Sequence, residues 1–213
     1  RTDPQAVEVR VVAGVDHRGD GGRVDHLHQA REEAGGADSA GEDAGHGQSS
    51  GQVSELAVDQ VEIGLDHRAH QFVEGHPEKY RIVTFSNAFH GRTMTAISAT
   101  NQDKMRGGFE PLPDWFTVLP FDDLTAVQDF MAGPLADSVG GFMVEPIQGE
   151  GGVRPASKAF LQGLRDLADK HGALLIFDEV QCGVGRTGHL VAYEAFGVTP
   201  DILTMAKGIT NGA

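Results

Sequence analysis

The sequence has a single cysteine, Cys182, and no apolar run near the roughly 20 residues that a membrane-spanning helix needs. One cysteine excludes a disulfide within the chain, which favours a cytoplasmic location. No apolar segment follows the first residues, so no secretory signal is predicted. The formal net charge is −14, and no Lys/Arg cluster supplies the basic face that nucleic-acid binding requires. We therefore expect neither a membrane nor a nucleic acid as a partner.

Residues 1–75 contain no lysine, and Phe72 is their only aromatic residue. Six arginines stand against fifteen acidic residues there, and stretches such as 34–41 are rich in Gly and Ala. This composition cannot bury enough apolar surface to offset chain entropy, so we expect disorder. The histidines of this part lack helical spacing and cysteine partners, so no metal site is predicted at His17, His26, His28, His46, His67 or His70.

From His76 onward, strand-like and helix-like segments alternate. Short apolar or β-branched runs predict strands over residues 80–85, 116–119, 139–144, 173–177 and 201–205. Apolar residues at three- and four-residue spacing predict a helix over 124–131, and a second helix is predicted between a Ser157 cap and Gly172. This order predicts an α/β fold with three layers, in which crossover helices cover a mostly parallel sheet.

Two of the predicted strands are followed by residues with ionisable side chains that are common in active sites. Asp178 follows the run 173–177, and Lys207 follows the run 201–205. The carboxyl ends of parallel strands meet at one edge of a sheet, where such folds bind ligands. An acid and a lysine at one crevice match the needs of pyridoxal phosphate. The lysine bonds to its aldehyde carbon, and the acid keeps its ring nitrogen protonated.

Five short segments follow one another in the chain, at residues 89–93, 145–152, 178–181, 185–188 and 206–208. Together they resemble the class III, fold-type I pyridoxal phosphate-dependent aminotransferases, most closely the acetylornithine and ornithine aminotransferases. The resemblance implies that residues 76–213 are part of the large, cofactor-binding domain of these transferases. Residues 1–75 show no such resemblance, and we expect them to be disordered or translated from the wrong frame.

The resemblance implies a role in cofactor binding for five residues. Lys207 would be the catalytic lysine, which bonds to the cofactor and then moves a proton. Asp178 would pair with the ring nitrogen of the cofactor. Phe89 and Val180 would pack on the two faces of the ring, and Gln181 would hydrogen-bond to the ring hydroxyl.

Two further residues would bind substrate. Arg92 would contact the substrate carboxylate, and Glu150 would neutralise an arginine when no carboxylate is bound. The implied reaction moves the terminal amino group of an acetylornithine- or ornithine-like donor to 2-oxoglutarate, in arginine biosynthesis, in a homodimeric cytoplasmic enzyme. Residues 208–212 look closer to other ω-amino acid aminotransferases, which leaves another ω-amino acid as an alternative donor.

Two alternatives of other classes remain. The segment 183–188 fits a dinucleotide-binding fingerprint, and Asp201 follows its first glycine by eighteen positions. Against this, Asp178 and Glu179 stand where a pyrophosphate must approach, and Asp201 begins its strand instead of ending one. The second alternative is a non-catalytic truncated fragment, because the sequence lacks a glycine-rich phosphate loop before Phe89 and a carboxy-terminal small domain.

Overall fold

Eight strands occur in the computed structural model, which describes residues 10–14 and 75–210 of the chain. They are β1 (Arg10–Gly14), β2 (Arg81–Phe85), β3 (Phe116–Leu119), β4 (Val139–Val144), β5 (Ile147–Gln148), β6 (Arg154–Pro155), β7 (Leu174–Asp178) and β8 (Ile202–Ala206). Six of them form one sheet in the order β1-β8-β7-β4-β2-β3, with every pair parallel. Strands β5 and β6 form a small antiparallel hairpin.

The central strand, β4, explains the apolar runs of the sequence. All six of its residues are buried, because strands β2 and β7 lie on either side of it and helices cover both faces of the sheet. Phe142 on one face belongs to the main core, and Met143 on the other face packs with Ile82 and Ile176. A strand that is buried on both faces does not alternate polar with apolar residues, which is why the sequence of β4 contains no polar side chain.

Helices cover both faces of the sheet, as the sequence predicts. They are α1 (Met94–Ala99), α2 (Asp103–Arg106), α3 (Leu124–Met131), α4 (Lys158–His171) and α5 (Tyr193–Phe196). Helices α3 and α4 contribute to the main core, whereas Ala96 and Ala99 of α1 lie beside Ile82 and Met143 on the other face. Within the described ranges, no helix is long and apolar enough to cross a bilayer.

The longest helix in the described part of the chain, α4, begins and ends where the sequence predicts. The Ser157 hydroxyl accepts a hydrogen bond from the Phe160 N–H at 3.1 Å, and Gly172 ends the helix with φ of 59° in the left-handed region. The Lys79 ammonium donates to the carbonyl oxygens of His171 and Gly172. These contacts satisfy backbone groups that both helix ends would otherwise leave without partners. The predicted α/β fold is confirmed.

The amino-terminal part corrects one expectation. Residues Arg10–Gly14 lie in the segment predicted to be disordered, yet they form β1 and pair in parallel with β8, with Arg10 opposite Ile202. The prediction is wrong for these five residues, because a sheet edge offers unpaired backbone groups to any extended segment. The remaining residues of 1–74, with the six histidines, lie outside the described part of the chain.

Candidate active site

Asp178 is the last residue of β7 and is only 2% exposed. Its Oδ2 accepts a hydrogen bond from Nδ1 of His90 at 2.8 Å. Its Oδ1 accepts one from the Val180 N–H at 3.1 Å and another from the Thr204 hydroxyl at 3.3 Å. Groups from three different segments of the chain therefore fix the orientation of a buried carboxylate at the end of the strand.

Lys207 directly follows β8, the strand next to β7. Asp178 is opposite Thr204 in the parallel register, so the chain reaches Lys207 three residues beyond the level of Asp178. Lys207 is exposed, opens a short 3-10 turn (Lys207–Thr210) and has φ of 53°, in the left-handed region. The acid and the lysine predicted to act together thus lie at the carboxyl ends of adjacent parallel strands.

His90 follows Phe89 in the loop after β2 and is completely buried. Burial of the ring disfavours its charge, but the hydrogen bond to Asp178 and the negative charges of Asp178 and Glu145 outweigh burial and raise the pKa of His90. Among the residues that the structure describes, its Nε2 has no hydrogen-bond partner. His90 also lines a cavity of about 10 Å³, together with Ala96 and Met143. Asp178 is therefore paired with a histidine that favours the positive form.

Phe89 is half-buried, and its N–H donates to Oε2 of Glu145 at 3.0 Å. Glu145 follows β4 and is 2% exposed. Burial is the main cause that raises the pKa of Glu145 to about 7, and the charge of Asp178 raises it further, while that of His90 lowers it. The loop that carries Phe89 is thus attached to the end of β4 through a carboxylate that titrates near neutral pH.

The other predicted site residues differ in their surroundings. Val180 and Gln181 follow β7 and are half-buried, and a Cβ added at Gly149 would lie 3.2 Å from the Cβ of Gln181. This contact brings Gln181 to the loop that carries Glu150. Arg92 and Glu150 are exposed on the loops after β2 and β4, and within residues 75–210 no ion pair joins them.

Sequence reasoning missed three residues that contact the predicted ones, namely His90, Glu145 and Thr204. His90 lies inside the Phe-His-Gly-Arg-Thr segment, and Glu145 follows the buried run of β4 just as Asp178 ends that of β7. An acid at the end of a buried strand was therefore an available signal for Glu145. Nothing in the spacing of the sequence indicates that His90 faces Asp178.

The segment 183–188 does not have the surroundings of a dinucleotide fingerprint. It forms turns, and the next helix, α5, has only four residues. Both carboxylate oxygens of the buried Glu179 accept backbone N–H groups, from Ala192 and Tyr193, which closes the loop. Asp201 lies at the opposite end of β8 from Lys207 and pairs with Arg165 at 2.7 Å. The nicotinamide alternative is therefore rejected.

Residues 66–213 match a protein family described as Aminotransferase class-III, so the match starts before the boundary predicted at residue 76. The chain is 48% identical over 161 residues to the acetylornithine aminotransferase of Rhodobacter capsulatus. The aligned segment covers 76% of this chain and 38% of that protein. It is 51% identical over 145 residues to the acetylornithine aminotransferase of Agrobacterium fabrum, covering 68% of this chain and 35% of that protein. The chain thus spans less than two fifths of the length of these relatives.

Solved structures agree with the sequence comparison. An ω-transaminase from Thermomicrobium roseum superposes with a TM-score of 0.68 at 32% identity, over 72% of this chain and 38% of that one. The ornithine aminotransferase of Toxoplasma gondii gives a TM-score of 0.65 at 32% identity, over 72% and 37% of the two chains. Class III aminotransferases depend on pyridoxal phosphate. The resemblance found in the loop segments is confirmed, and the chain belongs to the class III aminotransferase family.

Proposed function

We propose that residues 75–210 contain the cofactor-binding centre of a transaminase that moves the terminal amino group of an acetylornithine- or ornithine-like donor to 2-oxoglutarate. The observation that carries this proposal is the placement of Asp178 and Lys207 at the carboxyl ends of adjacent parallel strands, with Asp178 hydrogen-bonded to His90. The relatives named acetylornithine aminotransferase support the choice of donor.

The residues present fit pyridoxal phosphate. The cofactor needs an acid at its ring nitrogen and an amine at its aldehyde carbon, and the buried Asp178 and the exposed Lys207 provide these two groups at one edge of the sheet. When bound, pyridoxal phosphate supplies an electron sink for the charge left on a substrate carbon after proton removal. Phe89 and Val180, both half-buried, are the candidates for packing against the ring.

Each residue of the centre has a defined task in this proposal. Asp178 would hold a proton at the ring nitrogen, and its hydrogen bond with His90 orients the carboxylate from the buried side. Lys207 would hold the cofactor through its amine and would move a proton at the substrate carbon. Gln181 would form a hydrogen bond with the ring hydroxyl. Arg92 would contact the substrate carboxylate, and Glu150 would neutralise an arginine when no carboxylate is bound. Both side chains are exposed and therefore accessible.

The direct test uses the full chain and pyridoxal phosphate. Titration of the chain should produce the visible absorbance band of a lysine–cofactor bond, and Lys207→Ala should abolish it. Lys170→Ala removes an exposed lysine near the end of α4 and serves as the matched control, so it should keep the band. A band of unchanged intensity in Lys207→Ala would contradict the role of Lys207.

The donor is tested separately, because it depends on the loops that contact substrate. Acetylornithine or ornithine should remove the lysine–cofactor band faster than an ω-amino acid that has no second nitrogen. The opposite order would favour the alternative of another ω-amino acid aminotransferase, a reading supported by the ω-transaminase among the solved structures. No change of the band with any amino donor would favour the non-catalytic alternative.

For the full-length parent we propose a homodimer in the cytoplasm that acts in arginine biosynthesis. The support is the resemblance to acetylornithine aminotransferases, which the identity of about one half to several relatives strengthens. Light scattering on the parent protein tests the dimer, because a mass of one subunit would contradict it. The pathway is tested by expressing the parent protein in a strain that lacks acetylornithine aminotransferase and requires arginine. Growth without added arginine is the expected result.

A further inference from the structure

The loops after β2 and β4 are joined along a seam, which we define as residues 86–89 against residues 145–151. The carboxylate of Glu145 accepts the Phe89 N–H at 3.0 Å. The amide of Gln148 donates to the Ser86 carbonyl oxygen at 2.8 Å. Gly151 lies so close to the other loop that an added Cβ would be 2.8 Å from the Asn87 carbonyl oxygen. Three contacts therefore hold the Phe89 loop against the Glu150 loop.

Glu145 is the buried charged member of this seam, and it accepts hydrogen bonds from both loops. Its Oε2 accepts the Phe89 N–H, and its Oε1 accepts the Gly149 N–H at 3.4 Å. The residue is 2% exposed, so neither oxygen exchanges these partners freely for water. A carboxylate bonds to an amide more strongly than a neutral acceptor does, and more so where water is excluded.

We propose that Glu145 is a positioning residue, whose carboxylate holds the backbone of Phe89 and thereby sets its ring against the face of the bound cofactor. This inference rests on the proposed function, because the cofactor gives the position of the Phe89 ring its meaning. Glu145 acts through Phe89 and the Gly149 backbone, so it does not itself touch the reacting atoms.

The charges around Glu145 make the hydrogen bond that it accepts from the Phe89 N–H sensitive to pH. His90 faces it from the loop after β2, Asp178 from the end of β7 and Cys182 from the loop after β7. Burial raises the pKa of the Cys182 thiol to about 12, so this neighbour stays neutral. The pKa of Glu145 itself is raised to about 7. Protonation turns one acceptor oxygen into a hydroxyl, so the hold on Phe89 should weaken as the pH falls through neutrality.

The test follows the amide signals of Phe89 and Gly149 by NMR in the isotope-labelled full chain without cofactor. From about pH 5.5 to about pH 8.5 both signals should move with one common midpoint near the pKa of Glu145. Glu145→Gln keeps the size and an acceptor oxygen but cannot ionise, so both amides should lose that midpoint. Glu110→Gln, at an exposed glutamate, is the matched control and should titrate like the original chain.

A second measurement connects the amide signals to the cofactor. The affinity for pyridoxal phosphate should fall by up to about tenfold on acidification through this range, beyond the change in Glu145→Gln, because a charged hydrogen bond is replaced by a neutral one. Amides that titrate unchanged in Glu145→Gln, amides that do not move at all, or equal pH dependence of affinity in both proteins would each overturn the proposal. Absence of a lysine–cofactor band in the original chain is a different result. It contradicts the proposed function, while the amide signals still decide whether Glu145 holds Phe89.

Discussion

His90 and Asp178 form a contact almost fully removed from water, with side chains 1% and 2% exposed and 2.8 Å between the ring nitrogen and the carboxylate oxygen. Two buried groups of opposite charge stabilise each other only while both are present. Removal of one partner leaves the other charge buried without compensation, which costs about 3–5 kcal/mol. Thr204 and Val180 also bond to Asp178, so part of its hydrogen bonding survives the loss of His90.

We therefore expect His90→Ala to lower the free energy of unfolding by about 3 kcal/mol, a loss that urea denaturation of the full chain measures. His189→Ala is the matched control. His189 is about half exposed and lies 3.7 Å from Glu194, so its loss should cost less than about 1 kcal/mol. An equal effect of both substitutions would show that the contact with Asp178 contributes nothing to stability.

Because of Glu145, the free energy of unfolding should also depend on pH. Its pKa is about 7 in the folded chain and 4.5 as the ordinary value. Between these values the folded protein holds a proton that the unfolded chain has released, so stability must fall as the pH rises from about 4.5 to about 7. The pKa of His90 is also raised, so its contribution is complete below its ordinary value of 6.5 and is lost as the pH rises through its folded value.

Glu145→Gln removes the pH dependence of stability that comes from Glu145 and leaves that of His90. Compared with the original chain, its free energy of unfolding should therefore rise with pH, by on the order of 3 kcal/mol across the window. Urea denaturation at a series of pH values measures the difference. Glu110→Gln, at the exposed control position, should differ from the original chain by a constant amount. A constant difference for Glu145→Gln would mean that the carboxylate titrates alike in both states.

At the scale of elements, the site depends on two turns that touch. Val184 lies in the turn after β7 and Lys207 opens the turn after β8, and both have φ of 53°. The left-handed region is unfavourable for a β-branched residue such as Val184, so surrounding contacts must hold it there. Gly208 provides the space, because a Cβ added there would lie 2.8 Å from the Cβ of Val184. The close contact of these turns fixes the backbone of Lys207.

Gly208→Ala should separate the two turns. We expect a loss of about 1–3 kcal/mol in the free energy of unfolding, typical of overpacking, and a weaker lysine–cofactor band at equal cofactor concentration. Gly107→Ala is the matched control, because an added Cβ there would meet its nearest atom at 3.7 Å, an ordinary contact distance. Full cofactor binding by Gly208→Ala would show that Val184 moves aside without disturbing Lys207.

The sequence predicted the elements well where one physical cause dominates. Buried parallel strands have uninterrupted apolar runs, and α4 has a capping serine and a terminal glycine, so both were found. The hairpin of β5 and β6 and the four-residue α5 were not predicted. They are too short for periodicity and depend on tertiary contacts, such as the bonds from the backbone of Ala192 and Tyr193 to Glu179.

At the scale of the whole molecule, the order of strands decides what the site can contain. The strands lie side by side in the order β1-β8-β7-β4-β2-β3, which brings β7 and β8 together and sets the loops after β2 and β4 beside them. The sequence placed Asp178 and Lys207 at one edge from the parallel rule alone. It could not place His90 against Asp178, because that contact joins residues 88 positions apart and depends on side-chain packing.

The outer edge of β8 is covered by β1, which pairs with it over five residues. Consecutive N–H groups of an edge strand point alternately toward and away from the partner strand. One of any two adjacent residues therefore donates to β8, and replacing both by proline removes that donor. We expect the double change Val11→Pro and Val12→Pro to raise amide hydrogen exchange in Ile202–Ala206 by at least about tenfold. Strand β3 (Phe116–Leu119), at the opposite edge of the sheet, provides the internal control and should exchange as before. Unchanged exchange in β8 would show that β1 does not protect this edge, and Lys207 would then follow a strand that one neighbour alone supports.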